Sequence, residues 1–337
     1  MLTPRGSLYS VPMKIRLQPV DSVTVTTLVD NYFDMLLTDQ GAAKRVGLPT
    51  TETPRVAAAA VEEGKTPDTP LAEHGFSAMI TLTSNGREHR VLFDTGMSPD
   101  GLVENMRRLG HSPKDLEVVI LSHGHLDHTT GMDGLMRTLG RANLPVFLHP
   151  EAWSRRRLVL PGREPFELPT PSKSAIKGAG FEIIEEKQPS FLLDGSLLIT
   201  GEVDRTTEFE KGMPIQQAWR NGEWQPDPLV LDDQAAILNV RGKGLVVITG
   251  CGHAGIVNIL RYARKLTGIE RVYAVLGGFH LGYPFDVVIP QVCDALAELD
   301  PQVIVPAHCT GWKAVHALAA RFPNAFIQNS VGTRFEL

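Results

Sequence analysis

The fold of this chain is decided by one stretch, Ser122-His123-Gly124-His125-Leu126-Asp127-His128. It follows the apolar run Val118-Val119-Ile120-Leu121, which predicts a buried strand. Imidazole and carboxylate groups are ligands that zinc, iron and manganese accept. Alternate residues of an extended backbone project to one side, so His123 and His125 can share one ion while Asp127 and His128 turn toward another. The stretch therefore predicts two adjacent metal ions, an arrangement suited to hydrolysis.

The composition is that of an ordinary soluble globular protein. The chain has 337 residues, of which 42% are hydrophobic and 21% charged, with a net charge of −5. This balance argues against nucleic acid as a partner. No apolar run approaches the roughly 18 residues of a membrane span, and the first residues lack the apolar core of a secretory signal. Cys251, Cys293 and Cys309 make no disulfide framework. We expect a cytoplasmic protein with a small-molecule substrate and no membrane partner; the oligomeric state is left open.

Strand and helix patterns occur twice along the chain, strands first and helices after. This order predicts an α/β protein with two sheets packed face to face and helices outside, a four-layer αββα sandwich. We expect an N-terminal extension over residues 1–21 and one domain over 22–337. Pro-rich or weakly periodic segments predict insertions in that domain at 39–73, 154–174 and 204–233. Within the first insertion AAAAVEEG (57–64) is expected to be partly helical, and 325–328 is expected to be the last strand.

Three later strands also end in turns that carry a histidine. Small residues in these turns let the backbone approach an ion or a substrate closely. Each histidine alone also fits a purely structural role, and for His280 that alternative is as strong as the functional one. The turns are Thr249-Gly250-Cys251-Gly252-His253, Leu276-Gly277-Gly278-Phe279-His280 and Val305-Pro306-Ala307-His308-Cys309.

These motifs resemble the metallo-β-lactamase fold superfamily over roughly residues 22–335. The resemblance is carried by LSHGHLDH, by FDTG upstream and by PAHCTG downstream. The segments LVDN, EHGFSA, TGE, TGCGHAGIVN and GGFHL are similar to a narrower branch. Its members resemble the 7,8-dihydropterin-6-methyl-4-(β-D-ribofuranosyl)aminobenzene 5′-phosphate synthase. The superfamily implies an αββα sandwich with the metal site at one edge of the two sheets.

The resemblance also implies a ligand set. It assigns His123 and His125 to a first metal, and Asp127, His128 and His308 to a second. Asp94, in FDTG, is expected either to orient a metal ligand through a hydrogen bond or to bind metal itself. The expected ions are two divalent metals, zinc first, with manganese and iron as alternatives.

Two ligands of the superfamily pattern are missing. The strand that should lead to a third histidine runs instead into Gly201-Glu202. Cys251 stands in the slot of the bridging aspartate. We expect His253 to complete the first metal site, while Cys251 is either a thiolate ligand or a free buried thiol.

The ligand pattern predicts a metal-dependent hydrolase that uses a metal-bound water on a small anionic, phosphorylated substrate. Asp127 is expected to accept a hydrogen bond from the nucleophile, and His280 or His253 to protonate the leaving group. One alternative is a synthase or transferase that joins a pterin to an aminobenzene ribofuranosyl phosphate, as the branch implies. A second alternative is a non-catalytic binding or sensor protein on the same fold.

Substrate contacts are expected from four residues. His74, Asn31 and Glu202 lie in segments that resemble the branch, and Arg155 can bind a phosphate through bidentate hydrogen bonds. The alternative for Arg155 and its neighbours is a solvated surface. Trp219 and Trp224 either stack on a planar ring of the substrate or pack within a long loop.

Overall fold

Two β-sheets stacked face to face form the centre of the fold in the computed structural model, which describes residues 16–337. The strands are β1 (Pro19–Val20), β2 (Ser22–Val29), β3 (Ala43–Lys44), β4 (Arg55–Ala57), β5 (Lys65–Pro67), β6 (Ser77–Ser84), β7 (Arg87–Phe93), β8 (Val118–Ile120), β9 (Pro145–Leu148), β10 (Arg156–Leu158), β11 (Phe166–Leu168), β12 (Glu182–Glu185), β13 (Ser190–Leu192), β14 (Leu197–Ile199), β15 (Gln216–Arg220), β16 (Glu223–Pro226), β17 (Ala235–Val240), β18 (Gly244–Thr249), β19 (Val272–Gly278), β20 (Val303–Ala307) and β21 (Arg334–Glu336). The helices are α1 (Gly101–Arg108), α2 (Leu126–Thr129), α3 (Met132–Leu139), α4 (Lys173–Gly178), α5 (Ile256–Thr267), α6 (Ile289–Leu299) and α7 (Trp312–Arg321).

Each sheet buries one face against the other. One sheet has the strand order β12-β9-β8-β7-β6-β2-β21-β3, and the second has β13-β14-β17-β18-β19-β20 with β1 beside β17. Side chains two residues apart, such as Val23 and Val25 of β2, meet Leu238 and Val246 from the facing sheet in one buried cluster. Each fully buried aliphatic side chain of this kind contributes about 1.5–3 kcal/mol.

Helices cover the two outer faces. Helices α1 and α3 pack on the eight-stranded sheet through residues such as Leu102 and Leu135. Helices α5, α6 and α7 pack on the seven-stranded sheet through residues such as Leu260, Leu296 and Leu318. The sequence-based prediction of an αββα sandwich is confirmed. None of the helices in the described residues 16–337 has the length and apolarity needed to cross a bilayer.

Parallel strands bring the candidate site together. Strands β7, β8 and β9 run parallel in one sheet, and β18, β19 and β20 run parallel in the other. Asp94 and the stretch 122–128 follow β7 and β8, while Cys251, His280 and His308 follow the three strands of the facing sheet. The carboxyl ends of both sheets meet at one edge, where these side chains come into contact.

The insertions are more ordered than the sequence suggested. Strands β10 and β11 come from 154–174, and β15 and β16 come from 204–233. Together they form one four-stranded antiparallel sheet in the order β11-β10-β15-β16. In the first insertion β4 and β5 pair as a hairpin, so the expectation of a helix at AAAAVEEG was wrong. We refer to the four-stranded sheet as the insertion sheet.

Two chain-end predictions need correction. Residues 325–328 form only an isolated bridge between Ile304 and Phe326, because Asn329 next turns its side chain to Thr27 and Asp30. The last strand is β21, which pairs with β2 in the other sheet. At the other end β1 pairs with β17, so Pro19–Val20 of the expected extension belong to the domain. Residues 1–15 of that extension lie outside the described residues.

Candidate metal centre

The stretch 122–128 is fixed by its backbone as well as by its side chains. Asp94 accepts hydrogen bonds from the Ser122 amide and hydroxyl, both at 2.7 Å. The Gly124 amide donates to Asp232 Oδ2 at 2.8 Å. A Cβ atom at Gly124 would collide with the Ala152 carbonyl oxygen, so only glycine fits between the two histidines. The backbone then enters the short helix α2, which carries Asp127 and His128.

Three imidazole nitrogens converge at the first half of the centre. His123 Nε2 lies 3.0 Å from His125 Nδ1, and His253 Nε2 lies 3.2 Å from the same atom. All three rings are buried. His253 arrives from the turn after β18, which Asp233 holds by accepting a hydrogen bond from the Ala254 amide at 2.9 Å.

Outer hydrogen bonds determine which ring nitrogens carry protons. The Ser122 hydroxyl donates to Asp94 and therefore accepts from His123 Nδ1 at 2.9 Å. Gln216 Oε1 accepts from His125 Nε2 at 2.6 Å. His123 Nε2 and His125 Nδ1 consequently carry no proton, and their lone pairs face each other. This arrangement is unfavourable without a cation between them and is the outer-shell pattern expected of metal-ligating histidines.

The ionisation of these rings fits the same conclusion. Burial holds the pKa of His123 and of His253 well below the ordinary histidine range. Burial also lowers the pKa of His125 to about 4. All three are therefore neutral at pH 7, which is the form that binds metal. His253 Nδ1 is in addition a buried nitrogen without a hydrogen-bond partner among residues 16–337.

A second group of donors lies beside the first. His128 Nε2 is 3.1 Å from Cys251 Sγ, and His308 Nε2 is 3.2 Å from Asp127 Oδ2 without hydrogen-bond geometry. Asp94 Oδ2 lies 2.7 Å from His128 Nδ1 and fixes that ring from behind. The ligand atoms of Asp127, His128, Cys251 and His308 all lie within 4.8 Å of one another.

The carboxylates in this group favour a cation. Burial opposes a charge on His128, but Asp94 and Asp127 raise its pKa to about 9. Burial likewise opposes ionisation of Asp127, but His128 and His308 hold its pKa well below the usual range. A proton on His128 thus occupies the position that a metal ion would take, and the donor set fits a divalent ion.

Cys251 is the member that connects the groups. It belongs to the set with Asp127, His128 and His308, to the set with His123 and His253, and to a third set with His280 and Cys309. In the protein without metal, burial raises the pKa of the Cys251 thiol well above its usual value. Metal binding would have to displace that proton. The choice between thiolate ligand and free thiol therefore depends on whether metal is bound.

His280 and the substrate candidates differ in their placement. The His280 ring lies 4.1 Å from the His253 ring, and both its nitrogens are buried without a partner among residues 16–337. His74 Nε2 lies 3.5 Å from Asp127 Oδ2, and Asn31 donates to the His308 carbonyl oxygen at 3.1 Å. These three side chains adjoin the centre, and their catalytic and binding roles stay predictions.

Two other candidates point elsewhere. Glu202 pairs with His149 at 3.2 Å. Arg155 is exposed, pairs with Glu167 at 3.0 Å and lies over the rings of Trp219 and Trp224. The two tryptophans pack against each other at 5.2 Å. Neither Glu202 nor Arg155 pairs with a candidate metal ligand among residues 16–337. Arg155 points outward because side chains alternate along a strand and the next residue, Arg156, points inward.

Sequence reasoning missed the residues of the insertion sheet that support the centre. Arg156 is buried and pairs with Asp232 at 2.5 Å and with Asp227 at 3.2 Å. Asp227 also accepts from the Gln216 amide at 2.9 Å. These groups connect the insertion sheet to Gly124 and His125. The only signal in the sequence is that Arg156 occupies the middle of three arginines.

Replacing Gln216 by leucine is expected to weaken metal binding about 10- to 100-fold. The change removes the acceptor that keeps the His125 Nε2 proton in place and the Nδ1 lone pair free. A competition titration against a chromophoric chelator measures the affinity. Gln217→Leu is the matched control, because Gln217 is only partly buried and bonds Arg157 instead. Equal affinities in both variants would contradict a role for Gln216.

Replacing Asp233 by asparagine is expected to stabilise the metal-free protein by about 1–3 kcal/mol above pH 6. Burial raises the pKa of Asp233 to about 6, whereas the unfolded value is about 3.9. The folded chain therefore binds the Asp233 proton more tightly than the unfolded chain does. The free-energy cost of the buried carboxylate charge is fully present above pH 6 and disappears as the pH falls toward 4.

Urea unfolding of both proteins at pH 8 and pH 4.5 measures this difference. The adjacent Asp232→Asn change is the control, because the pKa of Asp232 is lowered in the folded protein, against the cost of burial, by its pairing with Arg156. That variant is expected to lose stability at pH 8. A gain for Asp233→Asn that persists unchanged at pH 4.5 would refute the assignment of the shift to burial.

Comparisons with known proteins agree with the geometry. The model of the metallo-beta-lactamase superfamily matches residues 73–265. A 7,8-dihydropterin-6-methyl-4-(beta-D-ribofuranosyl)-aminobenzene-5′-phosphate synthase of Methanocaldococcus jannaschii is 33% identical over 263 residues, which are 76% of this chain and 87% of the relative. An uncharacterized protein of the same organism is 34% identical over 78% of this chain and 93% of its own length. A crystal structure described as a metal-dependent hydrolase of the beta-lactamase superfamily has a TM-score of 0.68 and 25% identity, covering 94% of this chain and 99% of that one. The chain belongs to the metallo-beta-lactamase superfamily, a membership that implies metal dependence.

Proposed function

We propose that this enzyme is a synthase that joins a 7,8-dihydropterin to an aminobenzene carrying a ribofuranosyl 5′-phosphate. The observation that carries the proposal is the 33% identity to the synthase of that name across 76% of this chain and 87% of the relative. A similarity over about three quarters of the chain extends well beyond the stretch 122–128.

The prediction of a hydrolase from the ligand pattern was wrong. The relative that overturns it is named as a synthase. The error has a physical reason, since histidine and carboxylate donors specify a metal ion and not the bond that is made or broken. The same electrostatic environment can activate a water or stabilise a phosphate-type leaving group.

The shape of the site supports a reaction between two substrates. One cavity of about 350 Å³ is lined by His125, Asp127 and Cys251 of the candidate metal centre. A second cavity of about 410 Å³ lies next to it, and both are lined by His253, His280 and Phe285. The two volumes together suit a pair of ring-containing substrates better than one small hydrolysable molecule.

The product name of the relative defines the chemistry that the residues must support. A bond forms between the pterin methyl carbon and the aminobenzene nitrogen, a leaving group departs from that carbon with the bonding electrons, and the nitrogen loses a proton. Bound divalent ions would act as Lewis acids that stabilise the charge of the leaving group. We assign their ligation to His123, His125, His253, Asp127, His128, Cys251 and His308.

Residues of the chain supply proton transfer and positioning. His280 has two buried ring nitrogens without a hydrogen-bond partner in the part of the chain that the structure describes, so it can accept the proton of the amine. The partly buried Leu158 of the insertion sheet and the buried Met213 line the 350 Å³ cavity and help to exclude water from it. The sequence-based role of His280 as a proton donor to a leaving group is replaced here by that of a base.

The direct test is product formation. The protein, reconstituted with zinc, manganese or iron(II), is incubated with the aminobenzene ribofuranosyl phosphate and a dihydropterin activated at its methyl carbon by a diphosphate. We expect a coupled product by mass spectrometry, dependent on metal and reduced at least about 100-fold by His280→Ala. Absence of product with every metal, together with absence of pterin binding, would remove the proposal.

A further inference from the structure

We infer that the two cavities are separate subsites, the 410 Å³ cavity for the pterin ring and the 350 Å³ cavity for the phosphate-bearing aminobenzene. This inference rests on the proposed function and adds where each substrate binds. We call the first the aromatic cavity, because Phe209, Phe279 and Phe285 line it, and the second the metal-side cavity.

The aromatic cavity has the walls that a flat bicyclic ring requires. Its three phenylalanines share the cavity wall with the glycine backbone at Gly252 and Gly255. A Cβ atom at Gly252 would come within 2.6 Å of the Gly278 carbonyl oxygen, so a larger residue does not fit there. Aromatic and apolar walls with few polar groups are typical of sites for planar ligands.

One exposed polar group of this cavity, Glu208, suits the edge of a pterin. Glu208 lines the cavity, is exposed, and forms no salt bridge with any residue in 16–337. A carboxylate can accept two parallel hydrogen bonds from the amino group and the ring N–H of a pterin. The neighbouring Glu210 is not free for this role, because it accepts from the Val257 and Asn258 amides at 2.9 Å each.

Charge places the phosphate in the other cavity. The aromatic cavity has two carboxylates, Glu208 and Glu210, and one lysine, Lys211, so it disfavours a dianionic phosphate. The metal-side cavity is lined by His125, Asp127 and Cys251 of the candidate metal centre. Divalent ions held there would attract a phosphate.

The boundary between the cavities is a row of rings. Phe285 lies 4.7 Å from the His280 ring, which lies 4.1 Å from the His253 ring. His280 thus has two nitrogens without a partner among residues 16–337, on the wall that both cavities share. A buried polar side chain without a partner is costly in a protein without ligand, and a substrate at this boundary would satisfy it.

Binding measurements on the metal-loaded full chain test the assignment without requiring turnover. The probes are 6-hydroxymethyl-7,8-dihydropterin and the aminobenzene ribofuranosyl phosphate, each titrated by calorimetry. Glu208→Gln is expected to weaken pterin binding about tenfold or more and to leave phosphate-probe binding unchanged. Leu158→Asn, in the metal-side cavity, is expected to do the opposite. Glu223→Gln, on the exposed hairpin of β15 and β16, is the matched control and should bind both probes normally.

The outcomes separate this inference from the proposed function. If the unmodified protein binds the pterin and Glu208→Gln binds it equally well, the subsite assignment fails and the synthase proposal stands. If the unmodified protein binds no pterin, the synthase proposal fails and the assignment fails with it. Normal binding of the phosphate probe by Glu208→Gln shows that this variant is folded, so a loss of pterin binding is then local.

Discussion

Replacing Cys251 by alanine is expected to lower the metal content of the protein and to reduce the rate of the proposed coupling reaction at least about 100-fold, equivalent to about 2.7 kcal/mol. Cys251 Sγ is the one donor that belongs to all three candidate ligand sets. Its loss therefore weakens both halves of the centre. Metal content per chain, measured by inductively coupled plasma mass spectrometry after gel filtration, and the rate of product formation are the two readouts.

Three further variants define what the thiol contributes. Cys251→Asp supplies the bridging carboxylate that the superfamily pattern has in this slot and is expected to retain metal, because carboxylate oxygen is also a zinc ligand. Cys251→Ser, a weak neutral donor, is expected to behave as Cys251→Ala. Cys293→Ala is the control, since Cys293 is a buried cysteine of helix α6 that packs between helices. Normal metal content in Cys251→Ala would show that the thiol is not a metal ligand.

The parts of the site that sequence predicted are those encoded by a strand followed directly by a ligand. The run Val118–Leu121 predicted a buried strand, and the structure has β8 at Val118–Ile120 with His123 just beyond it. The same local rule located the turns that carry Cys251, His280 and His308. Because parallel strands place their carboxyl ends at one edge, these turns had to meet once the sandwich formed.

The parts that sequence could not predict depend on pairing between distant segments. The insertion sheet combines β10 and β11 with β15 and β16, about 50 residues away in the chain. Short strands with polar residues do not reveal their partners. Gln216 and Asp232 therefore remained unnoticed, although they hold His125 and the Gly124 backbone. The sequence motifs also could not predict which reaction is catalysed, since the ligand residues are common to many reactions.

Replacing Arg156 by methionine is expected to destabilise the protein by about 3–5 kcal/mol. The Arg156 side chain is only 2% exposed and pairs with Asp232 and Asp227, which are equally buried. The variant leaves Asp232 in the interior without its cation, whereas Asp227 keeps its pair with Arg220 at 2.9 Å. Asp232 also holds the Gly124 amide between His123 and His125. We therefore expect a lower midpoint of urea unfolding and, in addition, weaker metal binding.

Arg155→Met is the matched control for this change. The two arginines are neighbours in the chain, but Arg155 is 54% exposed and its pair with Glu167 lies at the surface. Surface pairs of this kind contribute about 0–1 kcal/mol, so Arg155→Met should unfold close to the unmodified protein. The addition of Asp232→Asn to Arg156→Met should recover part of the loss, because a neutral amide is less costly to bury than an unpaired carboxylate. Equal stability of the two single variants would mean that the insertion sheet does not support the metal centre through this ion pair.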